Sequence, residues 1–403
     1  MNGLPRVADR ERPSNAMRVG YITTYDVFDR SRWPATSTGL FTAGYHIAKE
    51  LTAYDLELAP LGPLDKPHVS KANVFKKRLY RRFLKRRFHA WAAPSYLESY
   101  ARQLEDRIDR TKPDVLLCPE NVRPIAYLRS AKPLVLWTDA TLASLIDFYP
   151  WLTNLCAETR RQVFTLERAA LERCTVVVYP SEWAAESAVR TYAVPESKIR
   201  VIPWSADINA RRTPEEVEAW IQSRPPEPCR LLFVGVDWRR KGGETALEAA
   251  RLLNARGTRT ELTVVGCHPP SAPPDFCRAL GFIDKTTPAG KQQFENLLAS
   301  AHFVILPTMA DCSPLAVVEA NSFGTPTLVS RVGGTSSIVR NDQNGRLFDV
   351  NAGAECYAEY IAGIMSEPDR YWTLARSSFE EYSTRLTWAS SCRRLYDILQ
   401  QVA

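Results

Sequence analysis

No apolar run in the chain approaches the roughly 20 residues needed to span a bilayer, and the opening MNGLPRVADRERPSNA has no apolar signal-peptide core. A cytoplasmic protein is expected. Nine cysteines, at 118, 156, 174, 229, 267, 277, 312, 356 and 392, contain no C-x-x-C pair, so neither a disulfide framework nor a zinc site is indicated. The five histidines (46, 68, 89, 268 and 302) show no paired spacing, so none is assigned to catalysis or metal, and His46 is expected to pack. No G-x-G-x-x-G follows a strand pattern, which argues against a dinucleotide-binding dehydrogenase, and no Walker loop is present. No D-x-D motif stands at a strand end and no short-period repeat runs through the chain. Metal and cofactor are therefore not expected, nor is a nucleic-acid partner.

What remains is an ordinary globular composition. With 403 residues, 45% hydrophobic and 24% charged, the chain is long enough for two domains with sizeable cores. The net charge of +7 is not spread evenly: much of the excess lies between Lys71 and Arg87 and points to a local anionic partner.

Short β-branched runs bounded by turn residues predict strands near 18–23, 56–61, 115–118, 134–138, 175–179 and 200–203, separated by helical patterns such as TGLFTAGYHIAKEL. A second series follows at 231–234, 262–265, 303–306, 327–329 and 346–348. Alternating strands and helices give two open, parallel α/β sheets. The polar, proline-rich stretch from Ala206 to Pro228 shows no strand pattern and marks the boundary. The expected organisation is a disordered leader or upstream start at 1–16, a first domain at 17–205, a second at 206–387, and a helix at 388–403 that can return to the first domain.

The window AHFVILPTMADCSPLAVVEANSFGTPTLVSRVGG, residues 301–334, carries the chemistry. A buried strand runs to Pro307, a loop holds Asp311, Cys312 and Ser313, and a helix is predicted to start near Pro314, since proline suits a first helical turn. Free amides from about Leu315 and Ala316, with the positive end of the helix dipole, suit phosphate oxygens. Asp311 before the helix and Glu319 within it are then placed for sugar and ribose hydroxyls, because a carboxylate only accepts hydrogen bonds.

At these residues the chain resembles the family 4, group 1 retaining glycosyltransferases of the GT-B fold, whose signature is two glutamates with seven residues between them and a following Gly-Thr-Pro strand entry. Asp311 stands at the first position and Glu319 at the second, with Gly324-Thr325-Pro326 and Gly333-Gly334 after them. The aspartate is a departure that bears on sugar identity. The resemblance also covers LLFVGVDWRRKGGETALEAARLL, where Lys241 stands for the lysine that neutralises a donor diphosphate. Val236 replaces the family's arginine, leaving Arg239 or Arg240 to supply the second charge. Ser37-Thr38-Gly39 occupies the first-domain glycine loop, and Ile283 in ALGFID lies at the strand end whose backbone reads the base. The first-domain histidine is not visible in PLVLWTDATLAS, and Asp139 stands near its place as a substrate contact.

The resemblance implies two facing Rossmann-like domains and transfer of a sugar from a nucleoside-diphosphate sugar to a glycan, lipid-linked or small-molecule hydroxyl, with retention and without metal. It implies catalytic roles for Asp311, Glu319 and Lys241. Donor contacts fall to Ser37, Gly39, Arg239, Arg240, Ser313, Pro314, Leu315, Ala316 and Ile283. A catalytically silent sugar-nucleotide binder or assembly subunit, and a nucleotide-sugar epimerase, remain as alternatives.

One segment stands apart. VFKKRLYRRFLKRRF, residues 74–88, carries eight Lys/Arg and no acid. On a helical wheel Phe75, Leu79, Tyr80, Phe83 and Leu84 share one side, and Arg78, Arg81, Arg82 and Lys85 the other. Two readings stay open: a helix that packs its apolar side on the first sheet, or a surface that docks on an anionic membrane and makes the protein peripheral on its inner face.

Overall fold

The computed structural model describes residues 16–33, 38–207 and 212–403, so Ser37 and the expected leader up to residue 15 lie outside the described residues. The chain divides into two compact units, one of residues 1–203 with 388–403, the other of residues 204–387.

The first unit is built on β1 (Met17–Tyr21), β2 (Leu56–Pro60), β3 (Val115–Cys118), β4 (Leu134–Trp137), β5 (Val176–Tyr179) and β6 (Ile199–Val201). All pair in parallel in the order β2-β1-β3-β4-β5-β6. β3, β4 and β5 are buried along their whole length, which is why VLLC, LVLW and VVVY are unbroken apolar runs rather than alternating ones. The helix Trp388–Val402 belongs to this unit: it buries Trp388, Cys392, Leu395 and Leu399, and Trp388 stacks on His46 with ring centroids 5.5 Å apart. His46 is a buried packing residue.

The second unit holds β7 (Cys229–Val234), β8 (Thr260–Val265), β9 (Cys277–Gly281), β10 (Phe303–Leu306), β11 (Thr327–Ser330) and β12 (Gly345–Phe348). Its parallel order is β12-β11-β10-β7-β8-β9. β9 is absent from the strands expected from apolar runs, and its end is indicated only by the resemblance at ALGFID. The segment expected to be a plain linker contains the helix Pro214–Ser223, started by a capping box in which Thr213 and Glu216 each accept from the other's amide, at 3.2 and 2.9 Å. Val217 and Ile221 of that helix join the second core.

Each sheet has one place where the strand order reverses and a crevice opens beyond the strand ends. In the first unit it lies between β1 and β3, and in the second between β7 and β10. No helix among the described residues is long and apolar enough to cross a membrane.

The basic segment forms the helix Lys71–Phe83, capped by Ser70, and it does not pack its apolar side on the sheet. None of its residues is buried; Phe75 is 66% exposed and Phe83 73%, and Leu84 beyond it 58%. Only Phe88, past the helix, enters the core.

Candidate active site

The second unit's crevice is assembled by two loops that follow β7 and β10. Gly235 follows β7 without a side chain, and a Cβ there would stand 2.8 Å from Lys241 Cγ, so the bare backbone lets the lysine stem fold over it. Gly242, at φ +79°, sits against the end of β10, where a Cβ would meet Pro307 O at 1.9 Å. The Met309 amide donates to Arg240 O at 2.8 Å and clips the two loops together. This close approach brings Lys241 Nζ onto Asp311 Oδ2 in an ion pair whose side chains are 13% and 8% exposed. Asp311 is fixed again through its carbonyl, which accepts from the Gly334 amide at 3.1 Å.

Glu319 lies in the helix Leu315–Asn321, which begins one residue after the position expected from sequence, with Pro314 as its N-cap. The amides of Leu315 and Ala316 precede the first turn bond, Val317 N–H to Pro314 C=O at 3.0 Å. Glu319 is only 3% exposed, and Lys285 Nζ reaches its Oε1 at 2.5 Å from the loop after β9. A buried carboxylate needs such a partner, since an unpaired one is costly. Ser313 Oγ, between Asp311 and the helix, is shut from solvent and hydrogen-bonds nothing among the described residues.

The far end of that helix is held by a residue that the sequence reading did not single out. Arg224 donates to Phe323 O, Gly324 O and Ala299 O at 2.7, 2.7 and 3.0 Å, and to Thr325 Oγ1 and Tyr371 OH at 3.0 and 2.9 Å. Phe323 and Gly324 lie in the turn that follows the helix and Ala299 in the last turn of the helix Pro288–Ser300, so one guanidinium ties the two together and its charge matches the negative ends of both dipoles.

Of the two candidate arginines, Arg240 donates to Ala310 O at 2.7 Å and so ties the loops. Arg239 is exposed; its carbonyl accepts from the Gly242 amide at 3.2 Å and its guanidinium makes no ion pair among the described residues. Val236, at the family arginine's place, is 70% exposed. The Ile283 side chain belongs to the core with Phe294 and Leu298, which leaves it no side-chain contact to offer a ligand, while neighbouring Phe282 is 74% exposed.

The first unit carries its own polar cluster at the same edge of its sheet. Gly39 lies in the first turn of the helix Thr38–Leu51, exposed, with nothing within 4 Å of an added Cβ. Glu120 follows β3 at the reversal point, fully buried, and accepts from the amide and hydroxyl of Thr24 at 2.8 and 2.6 Å. Burial raises its carboxyl above the ordinary value. After β4, burial pushes Asp139 up to about 6 against the pull of backbone hydrogen bonds from Ala140 and its own amide. Glu167 caps the next turn, accepting from the amides of Leu142 and Ala143 at 2.6 and 3.0 Å and from Tyr192 OH at 2.5 Å. Burial carries it to about 7, and the charge of Asp139 adds to the rise. Glu120 and Glu167 have no sequence motif; only the fold reveals them.

Two family profiles match in tandem. The one described as "Glycosyltransferase Family 4" matches residues 39–209, and "Glycosyl transferases group 1" matches residues 215–384. The chain belongs to the family 4, group 1 glycosyltransferases. Curated relatives in this family include the D-inositol 3-phosphate glycosyltransferases of Corynebacterium kroppenstedtii and Rhodococcus jostii, each 26% identical. The matches cover 58% and 51% of this chain and 55% and 47% of the relatives, so the chain spans about half the length of the curated relatives it matches. Solved structures give the family fold, GT-B. Sucrose-phosphate synthase from Thermosynechococcus elongatus superposes with a TM-score of 0.63 at 15% identity, over 96% of this chain and 99% of that one. Anabaena HepE in complex with UDP gives 0.63 at 16%, over 96% and 100%.

Proposed function

We propose that the chain transfers a sugar from a nucleoside-diphosphate sugar to a hydroxyl acceptor, retaining the anomeric configuration. The observation that carries this is the pair of lysine-held carboxylates at the β7/β10 reversal: Lys241 with Asp311 and Lys285 with Glu319. Lys241 and Arg239 supply positive charge to the departing diphosphate, and the unpartnered Ser313 Oγ can donate to it. Asp311 accepts from the sugar hydroxyls and Glu319 from the ribose. The acceptor hydroxyl attacks on the face the diphosphate leaves, with a donor phosphate oxygen taking the proton, so the protein contributes positioning and charge. These cations do the work of a metal, and chelator-treated protein is expected to keep its activity. UDP is the first nucleotide to try, because HepE structures hold UDP and UDP-glucose.

A second reading is favoured by Val236: without the family's arginine the unit can bind a sugar nucleotide and not turn it over. One screen decides. UDP-, GDP- and ADP-sugars are offered to the purified protein with and without hydroxyl acceptors, and donor consumption, sugar interconversion and product anomer are followed. Product with the donor's anomeric configuration supports the proposal. Tight binding without turnover supports the silent reading, and interconversion without acceptor an epimerase.

The exposed helix Lys71–Phe83 fits docking on the anionic inner leaflet of a membrane and so a lipid-linked acceptor. Phe75, Phe83 and Leu84 offer apolar insertion, and each Lys or Arg near such a surface contributes about 1 kcal/mol before salt screening. Binding to anionic but not neutral vesicles, lost on changing Arg81, Arg82 and Lys85 to Glu together, is the expected result. A wild-type protein that stays in solution at low salt removes it and favours a soluble acceptor.

A further inference from the structure

Beside this helix, within the first unit, a cleft of about 560 Å³ opens against the start of the helix Ala157–Arg173. Its walls come from three segments: Tyr80, Leu84 and Arg86 of the basic segment, Asp147 and Asn154 from the stretch that follows β4, and Arg160 near the start of that helix. The floor is apolar, with Leu155 and Cys156 buried, whereas both arginines are exposed at the rim.

The two guanidinium groups are held in place but not used up. Arg86 Nη1 donates to Asn154 Oδ1 at 2.8 Å, and Asn154 Nδ2 in turn donates to Lys85 O at 2.7 Å. Arg160 Nη2 pairs with Asp147 Oδ2 at 2.7 Å. Each guanidinium has five N–H donors and uses one in these contacts, so each keeps a fork for a second acceptor. Asp147 is the one carboxylate in the lining and is exposed at 58%, where solvent weakens its hold on Arg160; Glu158, beside the cleft, is taken up by Lys76 and accepts from Tyr80 OH at 3.2 Å. The residual charge suits a tetrahedral oxyanion, and the positive end of the following helix adds to it. Helices between parallel strands run against them, so the start of Ala157–Arg173 lies at the carboxyl edge of the sheet, the edge that carries Asp139.

We propose that this cleft takes the phosphate of a membrane-lipid headgroup. The source is argued from placement: Leu84, 58% exposed, both lines the cleft and extends the apolar side of the basic helix, so a lipid whose chains meet Phe83 and Leu84 presents its headgroup to Arg86 and Arg160. The inference rests on the membrane-docking reading, and the test separates the two.

Glycerol 3-phosphate is titrated into wild type, Arg86→Gln/Arg160→Gln and Phe75→Ser/Phe83→Ser, and the same proteins are sedimented with phosphatidylglycerol vesicles and charge-matched oleate vesicles. Wild type binds glycerol 3-phosphate saturably and prefers phosphatidylglycerol to oleate. The arginine variant binds the headgroup at least about tenfold more weakly, the loss of two charge-assisted contacts, and treats the two vesicles alike. The phenylalanine variant leaves both vesicles yet keeps the headgroup affinity, which identifies a docking defect with an intact cleft. Single Arg86→Lys, which keeps charge without the fork, gives an intermediate loss. Equal headgroup affinity in wild type and the arginine variant overturns the proposal. So does a wild type that binds inorganic phosphate but shows no preference between the two vesicles, because the source is then free phosphate.

Discussion

Lys285 Nζ lies 2.5 Å from Glu319 Oε1, and this contact joins the loop after β9 to the helix after β10. The ammonium group also lies over the ring of Phe294, 4.9 Å from its centroid, so its position is fixed on two sides. Glu319 is therefore aimed by a residue on the other side of the crevice and not by its own helix alone.

Lys285→Met removes the charge while keeping much of the stem. Turnover is expected to fall at least about tenfold as Glu319 loses its orientation in a site built for charge placement. Steady-state kinetics of the folded variant check this. Unchanged turnover would leave the pair a purely structural contact.

The Lys241–Asp311 pair makes a sharper double-mutant test. Lys241→Met alone leaves Asp311 buried without its partner and is expected to cost about 3 kcal/mol. Adding Asp311→Asn removes the orphaned charge and recovers most of the stability in urea denaturation, but not the turnover. Asp311→Asn alone should weaken the sugar nucleotide more than the free diphosphate. Recovery of turnover in the double variant would make the pair scaffolding.

Asp139 has its carboxyl pushed up to about 6 by burial. If its carboxylate accepts from a substrate hydroxyl, the role proposed for it from the resemblance, activity should fall as pH drops through 6, and Asp139→Asn should be slow with that limb removed. A pH–rate profile with the same limb in both proteins assigns it elsewhere, Glu167 at about 7 being the nearest other group with a raised value.

Gly242→Ala places a methyl against Pro307 O in a left-handed backbone and is expected to cost about 2 kcal/mol and to separate Lys241 from Asp311. Gly39→Ala has open space around it and should leave the denaturation midpoint near that of wild type. Equal midpoints for both variants would contradict the account of the loop junction.

Most strands were legible because in parallel sheets buried on both faces they must be unbroken apolar runs, as in VVVY and FVIL. β9, CRALG, escaped this test: it is an edge strand with Arg278 exposed, so its pattern is mixed. The order of Lys241, Asp311 and Glu319 along the chain could be read from the family resemblance, but their partners could not. Lys285 and Glu319 are 34 residues apart and Arg224 and Gly324 are 100 apart, pairings that only the sheet topology creates. The basic helix shows the other limit. One amphipathic pattern serves a packed helix and a free one equally, and whether a core receives the apolar side is decided by neighbours that the local sequence does not contain.

The most direct measurement is donor turnover by purified Glu319→Gln and Lys241→Ala beside wild type, with fold checked by circular dichroism. The account predicts a loss of at least roughly a hundredfold in each, the loss of one strong charge contact. Wild-type rates in either folded variant, with unchanged affinity for the sugar nucleotide, would contradict the assignment of the β7/β10 crevice as the donor site.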